Sequence, residues 1–195
     1  MTRNVILAGV GGQGLLSIAA VLGAAARAEG LQLKQAEVHG MAQRGGVVQS
    51  HVRYGDETIH SDLIREGTAN LILSLEPMEA LRYLPFLAPT GTVITSRAPL
   101  RNIPDYPNIP DLLDEIGALP SHRMLDAEAL AKEAGTIRCA NMVILGAGAP
   151  FLAISEDALI AGIEEVFDAK GLSVVETNVR GFRLGLKASL QNGSA

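Results

Sequence analysis

Short runs of four or five apolar residues alternate along this chain with longer stretches of helical spacing. Asn4–Ala8 is continuously apolar after its first residue, which predicts a strand buried on both faces. Gly14 to Glu29 is apolar or small on nearly every face, so it predicts a buried helix, stopped by Gly30. Leu31–Val38 predicts a second strand. Val47–Tyr54 predicts a third, because Val48, Ser50, Val52 and Tyr54 alternate with Gln49, His51 and Arg53. Gly55-Asp56 makes a turn, with a hairpin return expected through Glu57-Thr58-Ile59-His60. Leu71–Leu75 and Thr92–Thr95 predict two more strands, separated by a helix from Glu76-Pro77 to about Leu84.

The second half is mostly helical in pattern. Pro99 to Pro120 predicts an irregular excursion with a short helix near Asp111–Ile116. Asp126 is placed to cap a helix over Ala127–Ala134. Asn141 to Leu152 predicts a buried helix. Ser155 caps an amphipathic one that turns Leu159, Ile163, Val166 and Phe167 inward and stops at Gly171. Strands alternating with helices imply an α/β fold: a Rossmann-like, open, mostly parallel sheet with helices on both faces. There is no internal repeat or linker, so residues 1–190 are expected to form one domain, with 191–195 a flexible tail.

Composition narrows the classes. Hydrophobic residues make up 48 % of the 195, enough for a substantial core, but aromatics are only 4 % and Trp is absent. The core is therefore aliphatic. A net charge of -5 and the lack of any Lys/Arg cluster longer than two residues argue against nucleic acid as a partner. Glycines interrupt the apolar N-terminal segment, so it reads as strand, turn and helix rather than a signal peptide. No stretch is long and apolar enough to cross a bilayer. The single cysteine, Cys139, fits a reducing compartment, and a cytoplasmic location is expected.

Two glycine-rich segments carry the candidate chemistry. Gly9-Val10-Gly11-Gly12-Gln13-Gly14 joins the first strand to the first helix. Gly9, Gly11 and Gly14 match the GxGxxG spacing, which lets backbone amides and a helix N-terminus approach an anion. The acidic residue that a dinucleotide site needs about 20 positions on is missing, and Glu37 is the nearest acid downstream. The same glycines also suit a plain packing turn. The second segment, Glu37 to Val47, contains His39, Gln43, Arg44, Gly45 and Gly46. Arg44 between glycines presents a planar fork suited to phosphate or carboxylate. In a parallel sheet the two segments meet at one carboxyl edge, where ligands bind.

Several catalytic signatures are missing from the sequence. It has no CxxC pair, HExxH helix, GxSxG elbow or phosphate-binding Gly-Lys-Ser/Thr. The four histidines show no metal spacing, and one cysteine cannot hold an iron–sulfur cluster. No catalytic residue is assigned, and the chain reads as part of something larger.

Gly9–Leu15, the run His39–Val48, Val52-Arg53-Tyr54-Gly55, Asn141–Gly146 and Asn178–Gly185 together resemble the gamma-type domain of 2-oxoacid:ferredoxin oxidoreductases. The resemblance spans Asn4 to Leu186. The variant Gly-Met-Ala-Gln-Arg-Gly-Gly at 40–46 is most similar to the indolepyruvate members. The resemblance implies a subunit, inactive alone, of an enzyme that converts an aryl 2-oxoacid and coenzyme A to an aryl-acyl-CoA and carbon dioxide, with electrons passed to ferredoxin. It implies thiamine diphosphate and 4Fe–4S clusters in a larger partner subunit. It makes Gly9, Gly11, Gly12, Gln13, Gly14, His39, Gln43, Arg44, Gly45 and Gly46 candidates for lining a coenzyme A site or the subunit contact. An independent dinucleotide-binding oxidoreductase and a purely structural assembly subunit stand as alternatives.

Overall fold

The computed structural model describes residues 2–39 and 46–191. Six strands form one sheet: β1 (Arg3–Val10), β2 (Gln32–His39), β3 (Val47–Gly55), β4 (Ala69–Ser74), β5 (Leu87–Ser96) and β6 (His122–Leu125). Their order is β2-β3-β1-β4-β5-β6. The ladders β1/β4, β4/β5 and β5/β6 are parallel, whereas β3 runs antiparallel to both β1 and β2. Five strands therefore point one way, and β3 alone is reversed. The sheet is mixed, and the reversal puts β3 where a strictly parallel fold would place its second strand.

Seven helices cover the sheet: α1 (Leu15–Ala28), α2 (Pro77–Arg82), α3 (Ile109–Gly117), α4 (Ala127–Ala134), α5 (Ala140–Leu152), α6 (Glu156–Phe167) and α7 (Leu172–Gln191). Strand residues alternate between two cores, as period two requires. Val5, Leu7, Leu71, Leu73 and Ile94 pack beneath α1, α4, α5, α6 and α7. Ile6, Ala8, Ile72 and Val93 face the other way, onto Ala80 of α2 and Ile116 of α3. Burial on both faces is why these strands read as unbroken apolar runs.

The centre of the larger layer is the pair α5 and α7. A Cβ on Gly146 would lie 1.9 Å from the carbonyl oxygen of Phe182, and one on Gly185 would lie 1.9 Å from that of Val143. The two backbones touch directly, which only glycine allows. α7 has no assignment in the sequence pattern because its buried side includes Thr177, Asn178, Gly181, Gly185 and Ser189, not a clean apolar stripe. Thr177 Oγ1 and Asn178 Nδ2 donate back to the carbonyls of Ser173 and Val174, each at 2.8 Å, so burying them leaves those groups satisfied.

Three local expectations change. Residues 57–60 form no strand. The segment instead buries Ile59 and Ile64 and is sewn to the sheet by side chains: Arg53 Nη1 donates to the Ser61 carbonyl at 2.7 Å, and His51 Nδ1 accepts from the Ile64 amide at 3.0 Å. The strand β6 is present but unforeseen, since a four-residue edge strand shows no alternation. α6 ends at Phe167, before Gly171, and a single 3-10 turn over Asp168–Lys170 intervenes. The caps at Asp126 and Ser155 form as expected, accepting from the amides of Ala129 and Ala158 at 2.9 and 3.2 Å.

Candidate functional site

The first glycine loop leaves β1 at the carboxyl edge of the sheet and enters α1. Gln13 folds back over it. Its Oε1 accepts from the Val10 amide at 2.8 Å, and its Nε2 donates to the Leu75 carbonyl at 3.1 Å. Gly9 makes room, because a Cβ there would lie 3.0 Å from Gln13 Oε1 and 3.3 Å from Leu75 Cβ. Besides lining this edge, the Gln13 side chain fastens the loop to the end of β4. Gly12 and Gly14 have φ of +102° and +84°, in the region that favours glycine. Gly14 also lies under Asn141, whose Nδ2 donates to the Gly14 carbonyl at 3.0 Å, so a Cβ there would meet that nitrogen at 2.6 Å.

The second glycine segment meets the first where it can be followed. Val10 pairs with Val47 in the β1/β3 ladder, and the Gly11 amide donates to the Gly46 carbonyl at 2.8 Å. His39 ends β2, opposite Val48. Gln43, Arg44 and Gly45 lie outside the described residues. Glu37 is on β2 and pairs with Ser50 of β3, so β3 separates its strand from the glycine loop. At roughly 4.8 Å per strand spacing, that puts β2 about 10 Å from β1. A dinucleotide fingerprint needs its acid on the strand next to β1, and here that place belongs to β3.

A cleft of about 900 Å³ opens at this edge. Gly12, Gln13, Gly14 and Ser17 line one end, with Leu75 beside them. Ala98, Pro99 and Leu100 form an apolar wall. Thr136, Arg138, Asn141, Lys170 and Ser173 carry the polar side. The N-terminal ends of α1, α5 and α7 all reach the cleft through Gly14, Ala140 and Ser173. None of these three helices has an acidic residue in its first turn, and α1 and α5 have no side-chain cap. Their positive dipole ends therefore face the cleft with no acidic side chain of the first turn to offset them. The Asn141 bond to Gly14 holds two of these termini together.

Arg138 and Lys170 add full charges. The Arg138 side chain is exposed, and among the described residues it makes no ion pair; the Lys170 ammonium sits 4.9 Å from the centre of the Phe167 ring. Both are absent from any recognisable motif, which is why sequence reasoning missed them. Asn141 left a signal, as the one polar residue at the head of an apolar helix. Cys139 lies in the floor of the cleft but is buried. Its Sγ donates to the Thr136 carbonyl at 3.0 Å, and burial pushes its thiol pKa up, so it is a poor nucleophile at neutral pH. The arrangement suits a large anionic ligand held by amides and two cations.

The family model described as "Pyruvate ferredoxin/flavodoxin oxidoreductase" matches residues 4–188. The chain belongs to this family. It is 36% identical over 198 residues to indolepyruvate oxidoreductase subunit IorB of Thermococcus kodakarensis, covering 95% of each chain. It is 35% identical over 201 residues to the IorB subunit of Methanothermobacter thermautotrophicus, covering 98% of this chain and 100% of that one. Among solved structures it resembles 2-oxoglutarate:ferredoxin oxidoreductase from Magnetococcus marinus, with 2-oxoglutarate, coenzyme A and succinyl-CoA bound. That likeness has a TM-score of 0.79 at 23% identity and covers 97% of this chain. This chain spans only 31% of that one. The keto/oxoacid ferredoxin oxidoreductase gamma subunit of Geobacter sulfurreducens matches at a TM-score of 0.66 and 25% identity, over 97% of this chain and 99% of that one. Membership makes this chain a non-thiamine subunit of a 2-oxoacid:ferredoxin oxidoreductase, and its relatives imply larger partner subunits. No helix among the described residues is long and apolar enough to cross a membrane.

Proposed function

We propose that this chain is the small subunit of an indolepyruvate ferredoxin oxidoreductase and that its cleft holds coenzyme A. The reaction is the oxidative decarboxylation of an aryl 2-oxoacid to the aryl-acyl-CoA and carbon dioxide, with two electrons passed to ferredoxin. The full-length similarity to IorB subunits supports the aryl substrate. The convergence of three helix termini, none with an acidic residue in its first turn, with Arg138 and Lys170 in one cleft carries the coenzyme A reading.

Thiamine diphosphate and 4Fe–4S clusters belong, on this reading, to the larger partner subunit. A chain with one cysteine, buried and hydrogen-bonded to backbone, cannot supply the four thiolates of a cluster. The work of this chain is to bind and orient. Amides of α1, α5 and α7 and the two cations neutralise the phosphates, and Ala98, Pro99 and Leu100 shelter the apolar portion of the ligand. Arg44 is a further candidate for the same edge or for the subunit contact.

The test is steady-state kinetics of the assembled enzyme. Arg138→Ala and Lys170→Ala should each raise KM for coenzyme A about tenfold, the equivalent of about 1.4 kcal/mol, with KM for indolepyruvate unchanged. Unchanged KM for coenzyme A in both variants would remove it from this cleft.

A further inference from the structure

A strap of twelve residues, 97–108, crosses from β5 to α3 and supplies the apolar wall of the cleft through Ala98, Pro99 and Leu100. Leu100 keeps 38 % of its surface in solvent while lining the cleft. Pro99, Pro104 and Pro107 stiffen the strap by fixing φ. It is fastened at its start, where the Arg97 amide donates to the Leu125 carbonyl at 2.8 Å and the Ala98 amide donates to Ser96 Oγ at 3.1 Å. Near its other end, the Tyr106 hydroxyl donates to Glu76 Oε2.

Glu76 is a buried junction. Its other carboxylate oxygen accepts from the Glu79 amide at 2.6 Å and so caps α2. Its carbonyl accepts from Ser74 Oγ at 2.6 Å. The preceding residue, Leu75, lines the cleft and accepts from Gln13 Nε2. A continuous path of bonded groups therefore runs from the glycine loop through Gln13, Leu75 and Glu76 to Tyr106 and the strap. It ties one wall of the cleft to the other.

We propose that Tyr106 is a positioning residue for coenzyme A: its hydrogen bond to buried Glu76 sets the strap as the apolar wall of the cleft. The proposal rests on the reading that this cleft takes coenzyme A. A hydrogen bond to a buried carboxylate is of the stronger kind, and this one fastens the strap at the end opposite Arg97 and Ala98. Without it the strap loses its anchor at Tyr106, and the wall at Pro99 and Leu100 loses its fixed distance from Gly12 and Gly14.

The experiment uses the assembled enzyme, with hydrogen exchange and steady-state kinetics measured side by side. Tyr106→Phe should raise amide exchange across 97–108 about tenfold and raise KM for coenzyme A by a similar factor, with kcat and KM for the 2-oxoacid unchanged. The double variant Tyr106→Phe/Glu76→Gln removes the tether without stranding a buried carboxylate, and it should match the single variant. If the double variant behaves as wild type, the effect came from the stranded charge and the proposal falls. Exchange across 97–108 that does not change in Tyr106→Phe also overturns it, as does faster exchange with an unaltered KM for coenzyme A. The underlying reading is checked separately in the unmodified enzyme. Coenzyme A should slow exchange at residues 11–17 and 136–141, and if it does not, the cleft reading fails whatever Tyr106 does.

Discussion

Replacing Gln13 with alanine removes both side-chain bonds that hold the glycine loop, and the cost follows from their surroundings. The Val10 amide and the Leu75 carbonyl each lose a partner, at 2.8 and 3.1 Å, and both residues are buried. A net hydrogen bond is worth about 0.5–1.5 kcal/mol, and a buried group left unpaired costs about 1–3 kcal/mol. Water from the cleft can reach the Leu75 side of the gap, which lowers its share. The sum is a loss of about 2–3 kcal/mol. With a urea slope of about 1–3 kcal/mol per molar, that moves the unfolding midpoint of the purified chain by about 1 M. Gly12→Ala is the control. A Cβ there meets nothing within 4 Å, so only its positive φ is penalised, at about 1–2 kcal/mol. A Gln13→Ala loss below about 0.5 kcal/mol would refute the account of Gln13 as a loop fastener and return it to the ligand.

Three further outcomes are expected. Gly185→Ala drives a Cβ to within 1.9 Å of the Val143 carbonyl oxygen, so α5 and α7 must separate; a loss above about 3 kcal/mol should appear as a thermal midpoint lowered by many degrees or no folded protein at all. Burial lowers the His51 pKa, against the opposing field of Asp62, and His51 Nδ1 accepts from the Ile64 amide. The unfolded chain then binds more protons below about pH 6.5, so urea stability should fall as pH drops from there toward the lowered folded value, and His51→Gln should flatten that limb. Burial raises the Glu79 pKa despite its bond to Arg82 Nε at 2.9 Å, and Glu76 adds to the rise. Its contribution is complete below the unfolded carboxylate range and is lost as pH rises through the folded value. Glu79→Gln keeps an acceptor for Arg82, so its stability relative to wild type should improve as pH rises above the unfolded carboxylate range; a constant difference would contradict the raised pKa.

The fold was legible wherever burial is made of aliphatic residues. β1 and β4 are apolar on both faces, and α1 and α5 are apolar all round, so hydropathy alone places them. It fails where packing is made of backbone contact and small polar groups. α7 lies against α5 backbone to backbone at Gly185 and Val143 and at Phe182 and Gly146, and its buried side also holds Gly181, Thr177 and Asn178, which do not register as hydrophobic. The reversal of β3 was equally hidden, because strand direction leaves no mark in an alternating pattern.

The site divides in the same way. The glycine spacing points to the sheet edge where the cleft opens, and the contact between Gly11 and Gly46 joins the two segments there. Gln13 lines the cleft as its motif position suggests, but its side chain also reaches back to hold its own loop, a role the spacing alone did not reveal. Arg138, Lys170 and Tyr106 come to the cleft from elements far apart in sequence, and only the packing of α5, α7 and the strap reveals them. The spacing of Glu37 already missed the dinucleotide pattern, and β3 inserted between its strand and β1 removes it further.

On the proposed function, this chain works as the coenzyme A-binding small subunit of an indolepyruvate ferredoxin oxidoreductase. Anaerobic purification of the tagged chain from its own cells tests it most directly. That role predicts a brown complex with a larger subunit carrying thiamine diphosphate and iron–sulfur clusters, which reduces ferredoxin with indolepyruvate only when coenzyme A is present. A lone, colourless chain that binds a nicotinamide or flavin would contradict it.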